Sequence, residues 1–198
     1  AIIGLGNRGR IYAHNFTALG AKVVAVCEKN PGMLAYIRNK YGIAENMAFT
    51  DEKDFFAAGK LADALVVSTQ DRDHYRHAVA GLNLGYHLLC EKPVSPHLSE
   101  CEELERLSRE KGLNMVVCHV LRYAPFYDKI KQVIDSGALG EITKINQTEN
   151  VGYWHFSHSY VRGNWRREDE TGPSILAKCC HDLDLFYYYT GTPCDRVY

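Results

Sequence analysis

A long apolar stretch is the first thing this 198-residue sequence lacks. No run approaches the roughly 20 residues that a helix needs to cross a bilayer, so no membrane partner is expected. An excess of either charge is missing too. The 23 Lys and Arg against 24 Asp and Glu leave a net charge of -1, with no broad basic field to gather nucleic acid. The N-terminus has neither a basic leader nor a small-residue cleavage site, and no secretory signal is expected. Paired cysteine motifs are absent as well: the seven cysteines are odd in number and none are spaced C-x-x-C. Cys27, Cys90 and Cys118 close apolar runs, which predicts buried free thiols and a reducing, cytoplasmic setting. No repeat or low-complexity linker interrupts the chain.

What is present is a strand-then-helix rhythm. Ala1 to Leu5 is a short apolar run that stops at a glycine loop, and Arg10 to Leu19 follows with helical spacing. Lys22 to Cys27 is β-branched and almost continuously apolar, as a strand covered on both faces should be. Asn30-Pro31 predicts an N-cap and first-turn proline for a helix to about Tyr41. A short helix after Thr50-Asp51 leads to a strand at Ala64 to Ser68. Asp71 or Asp73 is expected to cap a helix through Leu84, and His87 to Cys90 is the next strand. Ser99 to Glu102 fits a capping box, and Met115 to Cys118 closes the series. Short strands alternating with helices predict a doubly wound α/β sheet.

The character changes near His119. Pro125 to Ser136 has helical spacing, Glu141 to Glu149 is expected to be a polar strand, and Pro173 to Tyr189 is helical again. Between them Tyr153 to Arg167 is rich in Tyr, Trp, His and Arg without a clear period, which predicts a loop over a site. His155, His158, Trp165 and Arg166 are its candidate substrate contacts; the two histidines fit sugar hydroxyls and ordinary surface loop equally well. The chain stops at Tyr198 before a second core is assembled, which predicts a truncated second domain.

The glycine loop carries the first chemistry. In Gly4-Leu5-Gly6-Asn7-Arg8-Gly9 the first glycine makes a tight turn, the second admits a pyrophosphate, and the third lets helix and strand pack closely. The helix N-terminus supplies unpaired N–H groups for the phosphates. Glu28 ends the second strand, about 20 residues on, where a carboxylate accepts hydrogen bonds from adenosine ribose hydroxyls. It would repel a 2′-phosphate, so NAD is expected over NADP, with Arg8 and Lys29 leaving NADP open. A second constellation, Glu91-Lys92-Pro93, lies at the carboxyl end of a strand, the edge where open α/β sheets bind ligands. Proline restricts Lys92 to extended conformations and makes a cis bond accessible, which would aim its ammonium over the cleft.

Taken in order, these motifs resemble the Gfo/Idh/MocA family of glucose–fructose oxidoreductase and inositol dehydrogenase. The ordered set is the glycine loop, Ser68-Thr69 with His74 beyond, Glu91-Lys92-Pro93, Arg122-Tyr123, and His181-Asp182-Leu183-Asp184. The resemblance implies a Rossmann domain over 1–119, followed at 120–198 by the start of an α+β C-terminal domain for substrate and oligomerisation. It implies cofactor contacts from Gly4, Gly6, Asn7, Arg8, Gly9, Glu28, Ser68, Thr69, His74, Glu91 and Lys92. It implies substrate contacts from Arg122 and Tyr123, and catalysis by Lys92 and His181. The implied activity is hydride transfer between NAD(P) and a sugar, cyclitol or polyol, in a homo-oligomer formed through the C-terminal sheet. A histidine, with its ordinary pKa of about 6.5, suits removal of the alcohol proton.

One departure stands out. The family's usual aspartate four residues before the histidine is Ala177 here. Asp182, Asp184 or a residue of the Tyr153–Arg167 stretch is left to orient His181. Two alternatives therefore stay open: a glycosidase that oxidises its sugar transiently, and a dinucleotide-binding regulator without catalysis. No metal is expected, because the adjacent Cys179 and Cys180 would point about 100° apart on a helix and cannot readily share an ion with His181.

Overall fold

The computed structural model describes residues 1–198 and divides the chain into two units, Ala1–Cys118 and His119–Tyr198. The first unit alternates strand and helix throughout. In chain order it contains β1 (Ile2–Ile3), α1 (Asn7–Ala18), β2 (Val26–Cys27), α2 (Pro31–Tyr41), β3 (Ala48–Phe49) and α3 (Glu52–Ala57). Then follow β4 (Ala64–Val67), α4 (Asp71–Asn83), β5 (His87–Cys90), α5 (Leu98–Glu110) and β6 (Met115–Val117). The six strands form one parallel sheet in the order β3-β2-β1-β4-β5-β6, a Rossmann doubly wound topology.

Consecutive strand residues face opposite layers, which is why the strands read as continuous apolar runs. Ile2, Val26 and Val66 pack with Ala13 of α1 and Leu34 and Ile37 of α2. Their neighbours Ile3, Cys27 and Val67 pack on the other side with Phe55 of α3, Ala78 and Leu82 of α4, and Leu104 of α5. Parallel register pairs Ile3 with both Cys27 and Val67, and Val67 with Cys90. The residues one step beyond, Gly4, Glu28, Ser68 and Glu91, therefore emerge along one carboxyl edge. The order reverses between β1 and β4, so that edge has its crevice there.

Several expectations about element bounds are corrected. The helix after the glycine loop starts at Asn7 rather than Arg10, and the second strand is only Val26–Cys27. The edge strand β3 had no period long enough to read. Asn30 does cap α2, its side chain accepting from Met33 N at 3.0 Å. For α4, however, the cap is Gln70, with Asp71 and Asp73 already inside the first turn, where carboxylates favour the helix dipole. The capping box at Ser99 is absent because α5 begins at Leu98, and Glu100 instead accepts from Ser95 Oγ.

In the second unit a single turn at Val120–Tyr123 precedes α6 (Pro125–Asp135). Short helices α7 (Tyr153–Phe156) and α8 (Glu168–Thr171) flank a π-turn at Ser157–Val161, so the stretch expected as a plain loop is partly helical. The long α9 spans Ser174–Thr190 and buries Ala177, His181, Asp182, Leu185 and Tyr189 along one stripe. Glu141 to Glu149 is not a strand, because no neighbouring strand completes a ladder with it. Side chains two apart, Gln147 and Glu149, instead reach Asp182 and Lys178 of α9.

Candidate active site

The glycine loop turns between β1 and α1, and its three glycines meet different demands. Gly4 has φ +86°, and a Cβ there would lie 2.5 Å from the carbonyl oxygen of Ser68. At Gly9 a Cβ would sit 2.0 Å from the carbonyl oxygen of Gly4, so only hydrogen lets α1 pack against the loop. Gly6 is different: a Cβ would meet no protein atom within 4 Å. Nothing in the fold requires that glycine. The open space in front of it, at the start of α1, is a cradle suited to a ligand's phosphates.

Glu28 braces this loop. Its Oε2 accepts from Leu5 N at 2.7 Å and its Oε1 from Asn30 N at 2.9 Å. Each oxygen keeps a further lone pair for a hydroxyl. From across the switch point, Ser68 Oγ donates to Gly4 O at 2.8 Å. A cleft of about 300 Å³ opens between these groups, lined by Gly4, Gly6, Glu28, Ser68 and Thr69 among others. Its acceptors and its glycine floor fit the adenosine and phosphate groups of a dinucleotide.

The cleft also contains groups that sequence reasoning missed: Glu52, Gln70, Asp73 and His77. His77, which belongs to no motif, is 1% exposed. Its Nδ1 lies 3.0 Å from Thr69 Oγ1 and its Nε2 lies 2.8 Å from Glu52 Oε2. Burial pulls its pKa from 6.5 down to about 4, helped by the nearby Arg76 guanidinium. A signal did exist. His74 and His77 fall on the same helical stripe as Ala78, Gly81 and Leu82, and all of them are buried.

His74 is not on the cleft wall. It is 1% exposed, with Nδ1 2.8 Å from Pro93 O and Nε2 3.1 Å from Thr69 O, so it fastens the β4 loop to the Glu-Lys-Pro turn. Both ring nitrogens lie against backbone carbonyls and the ring is buried, so His74 stands behind the cleft wall. Glu91 is likewise buried: Tyr12 Oη donates to its Oε1 at 2.5 Å, Lys92 N donates to its Oε2 at 3.2 Å, and Arg8 Nε lies 3.8 Å away. The Lys92–Pro93 bond is cis, and Lys92 is half-buried. Asn7 and Arg8 are exposed, and Asn7 Oδ1 accepts from Arg10 Nη2 at 2.7 Å.

In the second unit His181 is 8% exposed, its ring edge-on to His119 at 5.9 Å between centroids. Ala177, one turn before it, is buried. Asp182 Oδ1 accepts from Gln147 Nε2, while its Oδ2 is buried without a hydrogen-bond partner. Asp184 forms a two-point pair with Arg122, Nε at 2.7 Å and Nη2 at 2.5 Å, and the guanidinium lies over the Tyr187 and Tyr188 rings. That pairing commits Arg122 to its own unit's scaffold. Tyr123 is 78% exposed. His155 and His158 are exposed against Tyr160 and Trp154 respectively, Trp165 is half-buried, and Arg166 is exposed.

Residues 1–119 match the oxidoreductase family described as GFO/IDH/MocA, NAD-binding Rossmann fold, and residues 127–198 match its C-terminal domain. The chain belongs to this family. It is 26% identical over 190 residues to inositol 2-dehydrogenase of Salmonella typhimurium, covering 94% of this chain and 53% of that protein. It is 27% identical over 200 residues to D-glucoside 3-dehydrogenase of Escherichia coli, covering 98% and 54%. Among solved structures it resembles scyllo-inositol dehydrogenase from Lactobacillus casei with bound NAD(H) and scyllo-inositol. There the TM-score is 0.79 at 25% identity, over 96% of this chain and 55% of that one. The chain thus spans about half the length of the relatives it matches. NAD is the cofactor named for the family's first domain.

Proposed function

We propose that this chain forms the cofactor-binding part, and the beginning of the substrate part, of a dehydrogenase that moves a hydride between NAD and a sugar, cyclitol or related polyol. The observation that carries the reading is the open cradle at Gly6 beside Glu28, on the same sheet edge as Glu91-Lys92-Pro93. Dehydrogenases of inositol and of glucosides among the relatives support the substrate class. When bound, NAD supplies the hydride acceptor.

The chain's residues have the remaining work. The N–H groups at Gly6 to Arg8 hold phosphate, and Glu28 accepts from the adenosine ribose. Lys92 binds the substrate oxygen, held in place by the buried Glu91. His181 takes the hydroxyl proton as the carbon is oxidised. Arg122 fixes Asp184 and the start of the second unit, while Tyr123, His155, His158, Trp165 and Arg166 face the sugar. Residues 1–119 then constitute the cofactor module and 120–198 part of the substrate and oligomerisation domain of a cytoplasmic homo-oligomer.

Titration of the protein with NAD+ and a panel of inositols and glucosides tests this reading through NADH absorbance. Growth of absorbance with a polyol, abolished by Lys92→Ala, is the expected result; unchanged turnover in that variant would sink the assignment of Lys92. Ala177 favours one second reading, a dinucleotide-binding regulator. Tight NAD+ binding with no turnover on any member of the panel would select it.

A further inference from the structure

Thr69, a cofactor contact expected from the sequence, is linked along the cleft wall to two side chains that sequence reasoning missed, His77 and Glu52. Their hydrogens can be assigned in order. Glu52 Oε1 is paired with Arg76 Nη1, and Arg76 Nη2 is held by Asp73 Oδ1 at 2.7 Å. A carboxylate paired with a guanidinium can only accept, so His77 Nε2, 2.8 Å from Glu52 Oε2, carries the ring hydrogen. Burial keeps the His77 ring neutral, with its pKa at about 4, so Nδ1 has a lone pair and accepts. Thr69 Oγ1, 3.0 Å away, must be its donor. The one hydroxyl hydrogen of Thr69 is thereby spent on His77, and only its lone pairs remain for a ligand in the cleft.

We propose that Thr69, His77 and Glu52 are a specificity relay that makes this wall of the cleft an acceptor of hydrogen bonds and selects the adenosine end of the dinucleotide by a donating group. His77 and Glu52 are positioning residues that act through Thr69. Glu28 and Asp73 line the same cleft and add acceptors when ionised, while Lys29 and Gln70 are its side-chain donors. Two groups on adenosine donate there: the adenine amine and the ribose hydroxyls. A ligand that replaces either donor with an acceptor or with hydrogen leaves the Thr69 lone pairs facing nothing or facing another lone pair. The inference rests on the proposed binding of NAD in this cleft.

The test is calorimetric binding of three probes to the protein: NAD+, nicotinamide hypoxanthine dinucleotide, and 2′-deoxy-NAD+. The first analogue carries a carbonyl in place of the adenine amine, and the second lacks a ribose hydroxyl. Wild type is expected to bind the analogue that lacks the donor facing Thr69 on the order of tenfold more weakly than NAD+, and the donor is the one whose penalty disappears in Thr69→Val. In Glu52→Gln, Arg76 keeps the amide oxygen facing itself, so the amide nitrogen faces His77. The ring hydrogen then moves to Nδ1, the Thr69 hydroxyl is released to donate, and the penalty should shrink to about twofold or less. Thr69→Val should equalise NAD+ and the analogue at the weaker affinity, and Thr69→Ser should retain the wild-type pattern. The fold of each variant is checked by circular dichroism. Equal wild-type affinity for all three probes overturns the relay, as does a penalty that persists undiminished in folded Glu52→Gln and Thr69→Val. Failure of wild type to bind NAD+ at all overturns the reading of the cleft itself.

Discussion

Tyr12 donates its phenolic hydrogen to Glu91 Oε1 at 2.5 Å, joining the first helix after the glycine loop to the turn that carries Lys92. The two residues are 79 apart in sequence, and neither belongs to a motif that predicts the other. Burial, with hydrogen bonds to Cys118 and Glu91, pushes the Tyr12 phenol far above its ordinary range, so it remains a donor at any working pH.

Tyr12→Phe tests that link. It leaves the ring in place but removes one partner of a buried carboxylate, which costs about 1–3 kcal/mol. Urea unfolding should show that loss. Hydride transfer should fall on the order of tenfold through loosened placement of Lys92, with little change in NAD+ affinity. A variant as stable and active as wild type would show that Glu91 needs no help from α1.

His77 predicts a pH dependence of stability. Its folded pKa is lowered from 6.5 to about 4, chiefly by burial, so between those values the unfolded chain binds a proton that the folded chain refuses. The contribution is therefore full above pH 6.5, declines as pH falls toward 4, and changes no further below it. Its total is about 3 kcal/mol. Urea midpoints measured from pH 7 to pH 4 should fall accordingly, and His77→Gln should flatten the slope over that interval.

How much of this was legible beforehand follows from what each feature depends on. The parallel sheet was readable because buried strands are continuous in apolar character and the helices between them start or stop at Gly20, Asn30, Gly85 and Gly112. The glycine loop and Glu28 were readable because their spacing reflects local chain geometry. Strand β3, with two residues, had no period to detect. The Glu141–Glu149 segment carries the β-branched residues Ile142, Thr143, Ile145 and Thr148, but side-chain preference cannot supply the neighbour that a ladder needs. Tyr12, Glu52 and His77 join the site through tertiary contacts, and only the helical stripe of α4 hinted at one of them.

The cysteines give a chemical map of burial. Burial raises the Cys27 thiol to about 12 and the Cys118 thiol to about 11, and holds Cys90 above its ordinary range, whereas Cys194 is exposed. Because the thiolate is the reactive form, brief iodoacetamide treatment near pH 8 should label Cys194 first and spare these three until urea is added. Peptide mass spectrometry reads the order directly. Early labelling of Cys90 would contradict the closed packing of β5 against α4 and α5.

The glycine loop allows fold and binding to be separated. A Cβ at Gly9 would stand 2.0 Å from Gly4 O, a backbone atom that cannot yield without moving the loop, whereas a Cβ at Gly6 would meet no protein atom within 4 Å. Gly9→Ala should therefore lose several kcal/mol of stability, on the order of other overpacked sites, and with it all ligand binding. Gly6→Ala should unfold within about 0.5 kcal/mol of wild type, since its methyl points into open space. If that space holds the pyrophosphate, the same variant should bind NAD+ at least about tenfold more weakly, because the methyl would occupy the ligand's place. Chemical denaturation and calorimetry on the two variants distinguish the cases. Normal NAD+ affinity in Gly6→Ala would move the phosphates away from the first turn of α1.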